Sequence, residues 1–234
     1  TANSSPVQVG ALTTWSKTAS GNTSTLALKT DGTLWSWGQS DQGQLGLGNT
    51  TSYSSPVQVG SLTTWSKIAS GWRHSLAITT DGKLYAWGYN ALGNLGLGNT
   101  TAYSSPVQVG ALTTWLDVAA GRECSLAIKT DGTLWTWGYN AYGQLGQGNT
   151  TNYSSPVQVG ALTTWLNVAG GRYHTLATTT DGKLYAWGYN DHGQLGQGDS
   201  GSSTYRSSPV QVGALTGWSV LSSMTGSRES IVLF

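Results

Sequence analysis

An all-β propeller of about five blades is the fold this sequence predicts, and three observations carry the prediction. The same words return in steps of fifty residues: Pro6, Pro56, Pro106 and Pro156 each open Pro-Val-Gln-Val-Gly, and Trp15, Trp65, Trp115 and Trp165 follow nine residues later. Asp31-Gly32, Asp81-Gly82, Asp131-Gly132 and Asp181-Gly182 keep the step, as do Trp37-Gly38, Trp87-Gly88, Trp137-Gly138 and Trp187-Gly188. Each repeat also divides into four short strand-like runs. A repeat of roughly 20–50 residues cannot bury its own apolar face, so stacked neighbours supply the core. Four antiparallel strands per repeat, arranged radially, make a propeller blade.

The second repeat shows how each element is read. Trp65 to Ala69 alternates Trp65, Lys67 and Ala69 with Ser66 and Ile68, the period of a strand. Ser75 to Thr79 places Leu76 and Ile78 on one face of a second strand. Thr80-Asp81-Gly82-Lys83 reads as a type I′ hairpin, because Asp-Gly accepts the positive φ angles that this turn requires. Leu84 to Trp87 is the third strand, ending at Gly88. A long loop from Tyr89 to Tyr103 carries Gly93, Gly96 and Gly98. Pro106 to Val109 is the fourth strand, and its proline suits a sheet edge, where no ladder donor is lost.

The chain thus reads as one domain, 1–234, with repeats at about 15–59, 65–109, 115–159 and 165–212. A partial blade is shared by residues 1–10 and 218–234. The N-terminal segment supplies a lone fourth-type strand, Pro6 to Val9. The C-terminal segment supplies first- and second-type strands only, Trp218 to Leu221 and Glu229 to Phe234. The slot between them lacks a third strand, and an open sheet edge is a template for another chain.

Composition narrows the function classes. Charged residues make up 9% of the 234 residues, against roughly 25% in an average soluble domain. Gly, Ser and Thr fill the difference, with 12 Trp, 11 Tyr and a single Phe. A net charge of +1 offers no basic field for nucleic acid. No run of about 18 apolar residues suits insertion in a membrane. The lone Cys124 cannot form an intrachain disulfide, and Ser24, His74 and His174 hold its place in the other repeats. The chain begins at Thr1, as a processed product or a fragment would, and its low charge and high Thr/Ser content point to an extracellular or cell-surface protein.

The words His74-Ser-Leu-Ala-Ile-Thr-Thr-Asp-Gly-Lys-Leu-Tyr-Ala-Trp-Gly-Tyr-Asn90 and Gly143-Gln-Leu-Gly-Gln-Gly148 resemble the repeat of the regulator of chromosome condensation (RCC1-like) family. The resemblance covers nearly the whole chain and implies a propeller with blades of about fifty residues. The kelch family has a similar period, but its Gly-Gly doublet occurs only once here, at Gly170-Gly171. The prototype of the resembled family is a seven-bladed nuclear exchange factor for a small GTPase that also docks on nucleosomes. This chain departs from it in having fewer repeats, no basic N-terminal arm, low charge and no recognisable β-wedge. The resemblance therefore implies the fold and leaves the exchange activity in doubt.

Candidate chemistry is sparse. Hairpin turns account for Asp31, Asp81, Asp131 and Asp181, and structural hydrogen bonds account for His74 and His174 better than metal ligation does. His192, with Asp191 and Asp199 nearby, lacks the spacing of a metal site. Gly43-Gln-Leu-Gly46-Leu-Gly48 has no helix to make it a phosphate loop. No enzyme, cofactor or metal is expected. Repeat-to-repeat variation instead singles out two loops, and loops on a rigid scaffold carry binding residues. Trp72, Arg73, Arg122, Arg172 and Tyr173 come from the loop after the first strand, and Tyr89, Tyr139 and Tyr189 from the long loop. The first functional expectation is a non-enzymatic, adhesive or structural scaffold forming a homo-oligomer or filament. Its contact is the strand Pro6, Val7, Gln8 and Val9 pairing beside Ile231 and Leu233. One alternative is a lectin-like propeller whose aromatics stack on glycans, and another is an interaction module like a guanine-nucleotide exchange factor.

Overall fold

The computed structural model describes residues 5, 7–10, 13–218, 220–222 and 231–233. Blade 1 comprises β1 Trp15–Ser20, β2 Ser24–Lys29, β3 Leu34–Gly38 and β4 Tyr53–Gln58. Blade 2 comprises β5 Trp65–Ser70, β6 His74–Thr79, β7 Leu84–Gly88 and β8 Tyr103–Gln108. Blade 3 runs β9 Trp115–Ala120, β10 Cys124–Lys129, β11 Leu134–Gly138, β12 Tyr153–Gln158. Blade 4 runs β13 Trp165–Gly170, β14 His174–Thr179, β15 Leu184–Gly188, β16 Arg206–Gln211, with a single 3₁₀ turn at Ser202–Thr204. Each blade is a four-stranded antiparallel meander in chain order. β17 Val220–Ser222 and β18 Ile231–Leu233 pair as a two-stranded sheet, and β17 lies against β13 and β14. The inner strands β1, β5, β9 and β13 surround an axial cavity of about 470 Å³, lined by Ser20, Gly21, Ile68, Ser70, Val118 and Ala120 among others.

Three sequence expectations need correction. Among the described residues none other than glycine has positive φ, so Asp81 does not sit in a type I′ turn. Gly82 N–H donates to the Thr79 carbonyl (2.9 Å) and Thr79 N–H to the Lys83 carbonyl (3.0 Å), a three-residue loop with Gly82 alone at φ 76°. That is a type I turn followed by a left-handed glycine. A Cβ on Gly82 would stand 2.2 Å from the Thr113 carbonyl, because the hairpin packs on the entry to the next blade. The fourth strands begin at Tyr53, Tyr103 and Tyr153, three residues before the proline, which an outermost strand tolerates. Residues 7–10 belong to no strand, and Val7 and Val9 are exposed, so they gain no burial that would hold the segment in a ladder. Pro6 lies outside the described residues.

Middle strands are buried on both faces, since each is sandwiched between neighbouring blades. The seam between blades 1 and 2 joins Leu26, Leu28, Leu34 and Val59 to Trp65, Ala77 and Trp87. At about 25 cal/mol per Å² of apolar area removed from water, such seams hold the blades together. Polar groups trapped at the seam must find partners. The long loop of each blade meets that need for the next. The Gln44 carbonyl accepts from Trp87 Nε1 (3.0 Å) and Ser75 Oγ (2.8 Å). The Asn94 carbonyl accepts from Trp137 Nε1 (2.9 Å) and Ser125 Oγ (2.7 Å), and the Gln144 carbonyl from Trp187 Nε1 (2.9 Å) and Thr175 Oγ1 (2.8 Å). Trp87, Trp137 and Trp187 are wholly buried, whereas Trp37 in the first blade is half-buried.

Gly96 makes this approach feasible. Its φ is 71°, and a Cβ there would lie 2.8 Å from Trp137 Nε1. Gly96→Ala should therefore destabilise the fold by at least about 2 kcal/mol, combining left-handed strain with a displaced indole. Trp137→Phe, which leaves a smaller ring and no donor, should cost a similar amount. Urea unfolding checks both; a loss below about 0.5 kcal/mol for either would contradict this account of the seam.

Candidate functional site

The loops that follow the inner strands emerge at one end of the propeller, beside the start of the long loops. Backbone bonds fix their order: Trp72 N–H donates to the Arg122 carbonyl (2.9 Å), and Arg122 N–H to the Gly171 carbonyl (3.2 Å). Tyr89, Tyr139 and Tyr189 N–H groups donate to the carbonyls of Arg73, Glu123 and Tyr173. Side chains from three blades then stack into one arc. Trp72 lies between the guanidinium groups of Arg73 (4.6 Å from the ring centroid) and Arg122 (4.1 Å). Arg122 Nη1 donates to the Tyr173 hydroxyl at 2.7 Å. The Tyr173 ring packs on Tyr142 (4.8 Å), Tyr139 (5.9 Å) and Tyr189 (6.1 Å), and Tyr189 packs on Tyr205 (5.0 Å). Aromatic pairs at such separations add about 0.5–1.5 kcal/mol each beyond their buried area, so the arc is a firm surface.

Electrostatics reinforce the arrangement. The Tyr189 and Tyr205 hydroxyls donate to opposite oxygens of Asp191, at 2.6 and 2.8 Å. These bonds hold the Asp191 carboxyl below its ordinary range, while burial and the Asp191 contact push the Tyr205 phenol up. Arg73 pairs with Asp41 at 3.6 Å, and Arg206 pairs with Asp199. Both carboxylates expected near His192 are therefore engaged, and the His192 ring rests on Tyr189. Among the described residues no group of three His, Cys, Asp or Glu side chains could hold a metal ion. None of the residues lining the axial cavity titrates.

Seven of the eight loop residues expected from the sequence meet in this arc. Tyr89 is half-buried and stands outside the ring stack. Sequence reasoning missed Tyr142, Tyr205 and the orienting role of Asp191. Tyr142 occupies the most variable loop position, matched by Gln42, Leu92 and His192, which was the available signal. Tyr205 enters through the lengthened fourth loop, where repeat comparison has no counterpart. Asn90 and Asn140, which vary to Ser40 in the first blade, are scaffold: the buried Asn90 side chain donates to the Asn99 and Thr101 carbonyls and accepts from Leu95 N–H. Of the self-assembly set, Ile231 and Leu233 lie in β18, while Val7, Gln8 and Val9 lie in no strand.

The histidines are structural, as expected. His74 Nε2 lies 3.0 Å from Ser125 Oγ, whose own hydrogen goes to the Asn94 carbonyl. Nε2 must therefore carry the proton and donate. Burial lowers His74 and His174 from 6.5 to about 4. Cys124, in the same slot, is a buried thiol pushed up to about 12.

Four-stranded meanders stacked radially, with a seam carbonyl that accepts from the next blade's Trp and Ser or Thr, define a repeat propeller. The sequence matches the family model described as the RCC1-like domain over residues 1–234, and the chain belongs to that family. It is similar in structure to yeast RCC1 (Prp20), solved bound to Kap60, with 24% identity, a TM-score of 0.74, and coverage of 86% of this chain and 49% of that one. Prp20p from Saccharomyces cerevisiae, solved in a study of its binding to Gsp1p and histones, gives 24% identity, a TM-score of 0.74 and coverage of 86% and 50%. Human WBSCR16 gives 23% identity, a TM-score of 0.82 and coverage of 94% and 58%. At these identities the likeness is one of fold, and the chain spans about half the length of these proteins. No curated protein matches it.

The buried histidines make stability pH-dependent in a defined direction. Their folded pKa lies below the unfolded one, so between about pH 6.5 and 4 the unfolded chain takes up protons that the folded chain refuses. Stability should be full above about pH 6.5 and fall as pH drops, by up to about 1.4 kcal/mol per pH unit for each histidine. Denaturant midpoints at pH 7 and pH 5 should differ for the native sequence and much less for the His74→Cys, His174→Cys double variant, which copies Cys124. An unchanged slope in that variant would assign the effect elsewhere.

Proposed function

We propose that this chain is a non-enzymatic protein-binding propeller whose recognition surface is the Trp72–Arg122–Tyr173–Tyr142–Tyr189–Tyr205 arc. One observation carries the reading. Among the positions at which the repeats differ, those in the loops after the inner strands and in the long loops build a continuous aromatic and arginine surface across three blades. Trp, Tyr and Arg are the residues that dominate binding energy at interfaces. Yeast RCC1 (Prp20), similar in fold, was studied with the proteins Kap60, Gsp1p and histones, which supports a binding module over the adhesive scaffold expected from the terminal strands. Exchange activity toward a small GTPase is a special case of this reading, and a nucleotide-release assay tests it directly.

A partner recovered by cross-linking and mass spectrometry should bind Trp72→Ala, Arg122→Ala and Tyr173→Ala at least about fivefold more weakly, a loss of about 1 kcal/mol that most interface residues do not reach. Leu162→Ala, at the opposite end, should bind as the native chain does. Weakening by Leu162→Ala alone would move the recognition surface to the other end. Glycan-array signals that need Trp72, in the absence of any protein partner, would replace this reading with the lectin alternative.

A further inference from the structure

Between blades 3 and 4 the arc encloses a cavity of about 210 Å³, lined by Tyr142, Arg172, Tyr173, His174, Tyr189 and Gln194. Small-molecule and cofactor sites run to roughly 300–1,000 Å³, so this cavity is of the size to admit one side chain. Its chemistry selects which one. Among the described residues four arginines are present, and three have a hydrogen-bonding or ionic partner: Arg73 with Asp41, Arg122 with the Tyr173 hydroxyl, and Arg206 with Asp199. Arg172 lies over the Tyr173 ring, 5.2 Å from its centroid, and has no hydrogen bond or ion pair within the described residues. A half-buried guanidinium with five fixed donors and only a ring beneath it matches the fork of a carboxylate.

The surroundings favour the same ligand. Three phenol rings wall the cavity, and their low polarizability relative to water strengthens a charge pair seated against them. His174 is buried beneath it and uncharged near neutrality, so Arg172 supplies the charge. Asp191 does not line the cavity and is turned to the Tyr189 and Tyr205 hydroxyls. The equivalent position one blade earlier shows the contrast: Arg122 spends its guanidinium on Trp72 and Tyr173, and Glu123 stands where blade 4 has Tyr173.

We propose that this cavity receives an acidic side chain, aspartate or glutamate, of the protein partner, with Arg172 as its counter-ion and Tyr142, Tyr173 and Tyr189 as its walls. The proposal rests on the binding-module reading and can fail separately from it. The probe is N-acetyl-glutamate N-methylamide, titrated into ¹⁵N-labelled full chain while the Arg172 Nε–H resonance, assigned by its absence in Arg172→Gln, and the backbone amides of residues 172–174 are followed. Saturable shifts are expected with the glutamate compound, at least tenfold weaker with the isosteric glutamine compound. Arg172→Gln should lose the response and Arg172→Lys, which keeps the charge without the fork, should weaken it, with both variants retaining the native melting temperature. Equal shifts from glutamate and glutamine, persistence in Arg172→Gln, or a stronger response to methyl glucoside, marking a sugar site, would each overturn it. If the cavity fails while Trp72→Ala and Arg122→Ala still weaken the partner, the binding surface stands and only its acidic anchor is removed.

Discussion

The structure turns on one doubly used backbone carbonyl per seam. A carbonyl oxygen has two lone pairs, and those of Gln44, Asn94 and Gln144 spend both on the following blade, one on an indole N–H and one on a hydroxyl. Those donors lie in wholly buried positions, where an unmet hydrogen bond would cost more than a met one gains. Packing alone would let blades slide against one another. The paired bonds set a single register, and the glycine two residues on keeps the indole close enough to reach.

That register is what makes the aromatic end possible. The long loop that carries the Gln144 seam carbonyl also carries Tyr139 and Tyr142, so locking the one positions the others. Arg122, Tyr173 and Tyr205 come from three separate loops; the Tyr173 and Tyr205 rings both pack on Tyr142, at 4.8 and 5.7 Å, and Arg122 donates to the Tyr173 hydroxyl. Function in such a propeller is a matter of substituting a few side chains on a frame that the repeated words hold constant. Family membership accounts for the frame; the arc belongs to this chain's own substitutions.

Much of the frame was legible in the sequence because repetition exposes it. Strand order and the Trp-Gly and Asp-Gly punctuation follow from the fifty-residue step. The hairpin type was not, because Asp-Gly suits both a type I′ turn and a type I turn closed by glycine, and only the register of the Thr79–Lys83 closure distinguishes them. The starts of the fourth strands were hidden by the proline, since the tyrosines before it look like loop. At the candidate site, variation between repeats pointed to seven of the residues in the arc. It could not reveal Tyr205, which has no repeat counterpart, nor separate Asn90, a buried loop pin, from its variable neighbours.

The half-exposed Trp37 shows that the seams have a direction. Blades 2, 3 and 4 are each sealed by the long loop of the blade before, and their indoles are wholly buried. Damage in such a chain is displaced: a lesion in the long loop of one repeat is felt about fifty residues downstream, in the tryptophan and serine of the next. Evolution of the loops is constrained in the same way. A loop is free to change its exposed tip toward a new partner, but its base answers to a different repeat from the one that encodes it.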